Sequence, residues 1–444
     1  MKEVISSRRA ALKTISLSGL AFCGLSGLTL GQNTGKKKIK HWDVIVAGGG
    51  PGGVPAAVSA ARNGARVLLI EKYGCLGGMA TVGLVNPFMR SGLAKGLFGE
   101  FAGILKKNDS LLKDKRTFDD EPMKWLLDQF VLDSGAELLL HSQVLGVLKS
   151  DGRVEAVRVL HKGGIEDLGA DIFIDSTGDG DVAAWAGAEF QIGRKADGSC
   201  QPMTLCFRMA GVDEQRMPSR DTINDLYNQA KEKGELENPR KEVAVYKSSH
   251  PHVVHFNSTR VVGKSALDGW SLTEAEIEGR RQTAQLVEFM KKKIAGFESA
   301  YLSKMAAQIG VRESRRIMGR YVLTEDDVLS ARHFSDGIAN CRYSIDIHNP
   351  TGTGTVIKRL KRGTYYQIPY RCLVPKGADN LLVASRCISS THEAHSSLRV
   401  QPIVWCIGQA AGTAAAKCVK DKTMPAFVDT DQLRKTLKKQ GANI

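Results

Sequence analysis

Three glycines, Gly48, Gly50 and Gly53, follow directly on the apolar run Val44, Ile45, Val46 and Ala47 in a G-x-G-x-x-G spacing, and this stretch constrains the chain more than any other. A short β-branched run of that kind reads as a strand buried on both faces. The first glycine makes a tight turn, the second lets a pyrophosphate approach the backbone, and the third lets helix and strand pack closely. Residues 52–62 read as a helix whose N-terminus turns free N–H groups and the positive end of its dipole toward that phosphate. Asn63 and Gly64 stop this helix, 66–70 forms a second strand, and Glu71 stands at its end, where a carboxylate accepts ribose hydroxyls. The unit is a dinucleotide site that suits FAD and NAD alike.

Two later stretches bear on that choice. Beyond Glu71 the paired glycines Gly77 and Gly78 stand where the backbone of two-domain flavoproteins runs against the cofactor. About 130 residues from the glycine turn, the apolar strand 171–175 delivers Thr177, Gly178 and Asp179, a turn expected under the adenylate. Between them, acids and Pro122 open a helix over 123–134, 137–141 reads as a parallel strand, and 143–149 and 153–161 form a hairpin about Asp151 and Gly152. Near the C-terminus a third buried strand, 380–386, precedes Gly408, Gln409 and Ala410. These are read as a small-residue helix start that aims a positive dipole end at a flavin pyrimidine. This third piece favours FAD.

The net charge of +15 raises the question of a nucleic-acid partner. Residues 1–40 carry eight Lys and Arg against Glu3 alone, so about half of that excess sits in the first tenth of the chain. With no basic helix interleaved with aromatics elsewhere, no nucleic-acid partner is expected. Residues 1–31 read instead as an export signal: Arg8 and Arg9 sit in a twin-arginine-like motif, with Ala11 where Phe is usual, ahead of an uncharged stretch over 14–30. Residues 32–40 would be a linker. Such a signal implies a periplasmic or extracytoplasmic protein exported folded, and a membrane anchor only if the segment is left uncleaved. Of the eight cysteines beyond Cys23 none stands in C-x-x-C, so no metal or dithiol motif is read. Cys75 reads as a small packing residue beside the flavin or as a catalytic thiol. His250, His252 and His255 lack neighbouring acids or cysteines and read as a surface strand. The guanidinium groups of Arg312, Arg315 and Arg316 are read either as holding an acidic or sugar substrate or as bridging an interface.

Taken together, the glycine turn with Glu71, Tyr73 to Thr81, the stretch from Ile174 to Asp181, Arg312 to Arg316, Asp346 with His348, and Arg399 to Pro402 with 408–412 resemble the bacterial FAD-dependent oxidoreductase family. That family sits near the succinate dehydrogenase and fumarate reductase flavoproteins, and the resemblance covers roughly residues 41–420. It implies an α/β fold: a Rossmann-like FAD-binding domain with a parallel sheet and β-meander, and an inserted α+β substrate domain. The expected division is 41–195 and 373–444 for the FAD domain and 196–372 for the insertion. Bound FAD and redox chemistry follow, with electrons passing to an unknown acceptor other than NAD, because only one glycine triplet follows a strand.

If a substrate C–H gives hydride to flavin N5, a base must take the proton of the adjoining OH or NH. His392, just after the third strand, is the first candidate and His348 the second; Arg371 and Arg399 would bind a carboxylate or stabilise the flavin anion. The expected function is oxidation of a C–OH or C–N bond of a small molecule, sugar derivatives included. The alternatives are glycan cleavage through transient oxidation and elimination, or electron carriage without a substrate.

Overall fold

The computed structural model describes residues 39–89 and 91–444. The export signal and most of the linker expected over 1–40 lie outside them, but the linker ends sooner than expected, because Lys40 already pairs with Leu168 as the first residue of a strand.

That strand, Lys40–Ala47 (β1), is central, and the burial of Val44 to Ala47 on both faces explains their unbroken apolar run. On one side it runs parallel to Val67–Ile70 (β2), with Val44 opposite Val67, and Glu137–Leu139 (β3) continues the sheet beyond β2. Between β1 and β2 lies the helix Gly53–Arg62 (α1), and the helix Asp120–Leu132 starts at Asp119, whose side chain accepts from the Glu121 N–H. Beyond Gln143–Ser150 (β4) and Arg153–His161 (β5), the strand Gly164–Asp175 (β6) is twelve residues long, where the sequence suggested five. Its first half closes an antiparallel meander with β5 and β4, and its second half, parallel to β1 and to the late strand Leu381–Val383, is a core strand. The burial switch from exposed Gly164 to buried Asp175 follows those two environments.

A second sheet carries its own core. Tyr301–Met305, Phe207–Ala210, Val253–Phe256 and Val245–Lys247 pair antiparallel in that order, with helices Arg220–Glu232 and Gly269–Lys293 packed on them. Phe207 and Phe256 stack at 4.6 Å between ring centroids, with Phe297 edge-on to Phe256. This core does not fill the expected insertion 196–372. It closes near Ala300, and from Ile317 onward Leu323, Ile338, Tyr366 and Tyr370 pack into the same core as Val44 and Ile45. The strand Gly337–Cys341, paired with Tyr366–Pro369, lies against the long helix Gln401–Asp421 rather than on the second sheet. Sequence texture marks the change of chain composition near residue 196, but no turn or linker signals the return near 315.

Candidate functional site

A cleft with about 1410 Å³ of free space, part of it continuous with solvent, runs from the glycine turn across the end of the parallel sheet to the second sheet. Its nucleotide end is built by steric necessity. Gly48 has φ +100°, and a Cβ there would run into the Ser176 carbonyl at the end of β6. A Cβ at Gly53 would strike the Gly48 carbonyl, so the third glycine permits the close turn onto α1. At Gly50, which lines the cleft, a Cβ would meet nothing nearer than the Gly78 Cα at 4.0 Å, leaving its backbone open to a ligand. Gly77 does not line the cleft; in a left-handed conformation it turns the chain so that Gly78 does.

Glu71 closes this end. Its Oε2 accepts from the Gly49 N–H at 2.7 Å and its Oε1 from the Tyr73 N–H at 3.0 Å. Burial pushes its pKa up against those two bonds, and each oxygen keeps a lone pair for a ribose hydroxyl. Opposite, the fully buried Asp175 accepts from Thr177 N–H (3.0 Å), Thr177 Oγ1 (2.8 Å) and Ala183 N–H (2.8 Å), and burial raises its pKa to about 6. Thr177, Gly178 and Asp179 are thereby presented on the cleft wall. Asp179 itself is held by Ser314 Oγ at 2.5 Å and Arg386 Nη2 at 2.6 Å.

The expected helix start at Gly408, Gln409 and Ala410 is corrected. The helix runs from Gln401, with Pro402 in its first turn and Val400 as its cap, so 408–410 lie two turns inside it. A Cβ at Gly408 would collide with the Gly52 carbonyl and one at Gly412 with the Ala56 carbonyl; these glycines bring the helix against α1. Gln409 Oε1 accepts from the Leu97 N–H at 3.0 Å and Ala410 is core. The residues of this helix that reach the cleft are Val400, Gln401 and Val404, so its positive end faces the site two turns earlier than the small-residue pattern suggested. Pro402 was the available signal.

The catalytic candidates divide. His348 and Arg399 line the cleft; His392 and Arg371 do not. His392 is buried behind the wall, with Nδ1 2.8 Å from Glu313 Oε1. Arg371 faces elsewhere, its Nε donating at 2.9 Å and its Nη2 at 3.2 Å to Asp336, beside an open surface hollow. The arginines of 312–316 part company too. Arg315 reaches Asp181 at 2.7 Å and Arg316 reaches buried Glu313 at 2.5 Å, whereas Arg312 enters the cleft and donates to Pro202 O and Thr204 Oγ1, both at 2.6 Å. Arg315 and Arg316 are thus tied up in ion pairs, and of these three only Arg312 reaches the cleft. Cys75 is off the cleft wall, but Cys206, unremarked in sequence, is on it, together with Asn257, Gln308 and Tyr343. These come from four separate segments, and no spacing pattern links them.

His348 Nε2 stands 4.0 Å from Asp346 Oδ1 and its Nδ1 3.4 Å from Thr355 Oγ1, while Tyr343 donates to Asp346 Oδ2 at 2.7 Å. Burial, then the charges of Arg312, Arg399, Arg240 and Arg260, hold the His348 pKa well below 6.5, so the imidazole is neutral at pH 7. The other histidines point apart: His250 meets Asp119, His252 caps the Val212 carbonyl, and His255 is buried rather than on the surface. Among the described residues, no group of three or more His, Cys, Asp or Glu could hold a metal ion.

Residues 43–437 match the family described as FAD dependent oxidoreductase. Curated relatives include a digeranylgeranylglycerophospholipid reductase of Thermoplasma volcanium, 27% identical over 201 residues (39% of this chain, 48% of the relative). Digeranylgeranylglycerophospholipid reductase 2 of Methanopyrus kandleri is 29% identical over 195 residues (39% and 46%). The chain thus spans about half the length of the curated relatives it matches. Among solved structures, it is similar to a geranylgeranyl bacteriochlorophyll reductase-like protein of Thermoplasma acidophilum at TM-score 0.47 and 14% identity, covering 91% of this chain and 85% of that one. A myxobacterial chondrochloren halogenase gives TM-score 0.49 and 12% identity, covering 90% and 79%.

Proposed function

The chain belongs to the FAD-dependent oxidoreductase family, and from that premise we propose that it oxidises a C–OH or C–N bond of a small molecule at the His348 end of the cleft. The observation that carries this reading is a neutral, cleft-lining imidazole on the same continuous wall as the glycine turn. FAD fits the other end, where Gly50 leaves open backbone and Glu71, Thr177 and Gly178 converge, and when bound it supplies a two-electron acceptor for the substrate hydride.

The chain's own residues supply the rest. His348 takes the proton of the substrate OH or NH, a step worth about 10²–10⁴-fold in rate for a positioned base. Asp346, fixed by Tyr343, stands beside the imidazole and favours the cation it becomes. The backbone N–H of His348 donates to Gln201 Oε1 at 3.3 Å, and Gln201 donates its own N–H to Glu313, so the strand bearing the base is tied to the buried Glu313–His392 pair. His392 acts there as a support.

The reductases among the relatives act, by name, on isoprenoid lipids. The wall around His348 carries Arg312, Arg399 and Asp346, which suits a polar substrate better than a prenyl chain, and this favours oxidation of a polar molecule. The twin-arginine-like stretch at 8–9 supports export of the folded holoprotein; fractionation of cells expressing the full chain and an Arg8→Lys, Arg9→Lys variant tests it. For the reaction, anaerobic mixing of the yellow holoprotein with alcohols, hydroxy acids, amines and amino acids is the test, and bleaching by none of them rejects the reading.

A further inference from the structure

The inner end of the cleft carries more positive charge than its neighbours balance. Arg312 and Arg399 both line it. Arg240 and Arg260 lie close enough behind them to act on the same groups. The acids on the cleft wall are Glu71 and Asp179 at the nucleotide end and Asp346 here, and Asp346 is already engaged by Tyr343.

Neither lining guanidinium has an acid partner. Arg312 spends Nη1 on Pro202 O and Thr204 Oγ1, and its Nη2 reaches Asn257 Oδ1 only at 3.4 Å, so every acceptor it has is neutral. Arg399 makes no side-chain hydrogen bond or ion pair among the described residues, and its Nε is fully buried without a partner. Burial and the charge of Arg399 bring the Arg312 pKa down to about 9, so the one nearby carboxylate, Asp346, does not offset the two cations. A buried cation left unpaired is costly, and a planar carboxylate is the partner whose geometry matches a guanidinium fork.

We infer that Arg312 and Arg399 form a seat for a carboxylate carried by the substrate, on the wall shared with His348. The inference rests on the proposed oxidation and narrows its substrate class to hydroxy acids or amino acids, sugar acids included. For a hydroxy acid the balance is direct: the C–H and O–H bonds break and C=O forms, two electrons and one proton leave as hydride to FAD, and the second proton goes to His348. The carboxylate is unchanged and serves as the handle. Asp346 on the same wall weighs against a doubly charged phosphate.

The test is a spectral titration of the oxidised holoprotein with acetate and benzoate, with acetamide and benzamide as neutral isosteres, and with inorganic phosphate. The carboxylates are expected to shift the flavin absorbance saturably and the amides to leave it unmoved. Arg399→Gln, which removes no hydrogen bond, is expected to weaken carboxylate binding at least tenfold with the FAD content retained, as is Arg312→Gln, with Arg312→Lys recovering part of the loss. Equal shifts by amides, tighter binding of phosphate, or wild-type carboxylate affinity in Arg399→Gln and Arg312→Gln each overturn the seat. Turnover is not required: carboxylates that bind while no acid bleaches the flavin uphold the seat and defeat the oxidation reading. Bleaching by neutral alcohols or amines but not by acids does the reverse.

Discussion

His392 Nδ1 lies 2.8 Å from Glu313 Oε1, in a buried pair that also takes in Arg316, so the histidine nearest in sequence to the third sheet strand is turned away from the cleft. Although burial works against it, the His392 hydrogen bond and the charges of His395, His392 and Arg316 keep the Glu313 carboxyl well below its ordinary pKa. His392→Ala is expected to keep its FAD and its reduction rate within a few-fold. It should lose stability by about 3 kcal/mol, the lower end for a broken buried pair, because Arg316 stays with Glu313. Denaturant unfolding and stopped-flow reduction measure the two effects separately.

Glu71→Ala should weaken FAD retention by roughly 10–100-fold. The substitution strips the Gly49 and Tyr73 N–H groups of their acceptor, at about 1–3 kcal/mol for each that stays buried and unpaired, besides removing the ribose contact. Flavin content after extensive dialysis reads this out. Retention equal to wild type would remove Glu71 from the nucleotide site.

Gly408→Ala places a methyl group against the Gly52 carbonyl. Overpacking of this kind costs about 1–3 kcal/mol, and here it should also push α1 and its glycine turn off register. The variant is expected to show a lower melting temperature together with reduced FAD affinity. A helix start at 408, by contrast, would tolerate alanine.

The nucleotide end was legible in sequence because its demands are local: a turn that needs Gly48, a close approach that needs Gly53, an acid one strand later. Thr177 could be read for the same reason, since a single strand end delivers it, whereas the part Asp175 plays in holding it shows only in the structure. At the other end His348, Arg312 and Arg399 could be named from their chemistry but not separated from Arg371 and His392, because they and Tyr343 converge from three stretches and only tertiary packing says which side chains face inward. Arg371 and His392 have the right chemistry, but each found a carboxylate partner elsewhere, in Asp336 and Glu313. Gly408 and Gly412 show the same ambiguity in small residues, which serve close helix packing as well as helix starts.

The acid limb of the rate profile should report His348. Burial and the surrounding arginines hold its pKa below 6.5, so wild-type flavin reduction is expected to stay full below pH 6.5 and fall only at lower pH. Removing a cation, as in Arg399→Gln, relieves repulsion of the protonated ring, raises that pKa and moves the acid limb to higher pH. A limb that stays in place would mean that another group titrates.

Arg371→Ala should leave flavin reduction unchanged and cost less than about 1 kcal/mol, since its pair with Asp336 is nearly half exposed on the arginine side. Reduction kinetics and a thermal melt suffice to check it.

Anaerobic reduction of the wild-type and His348→Ala holoproteins by the same hydroxy or amino acid tests the central claim most directly. Rapid bleaching of the wild-type flavin is expected, with a rate lower by about 10²–10⁴-fold in the variant at unchanged FAD content. Equal rates in the two proteins would contradict it.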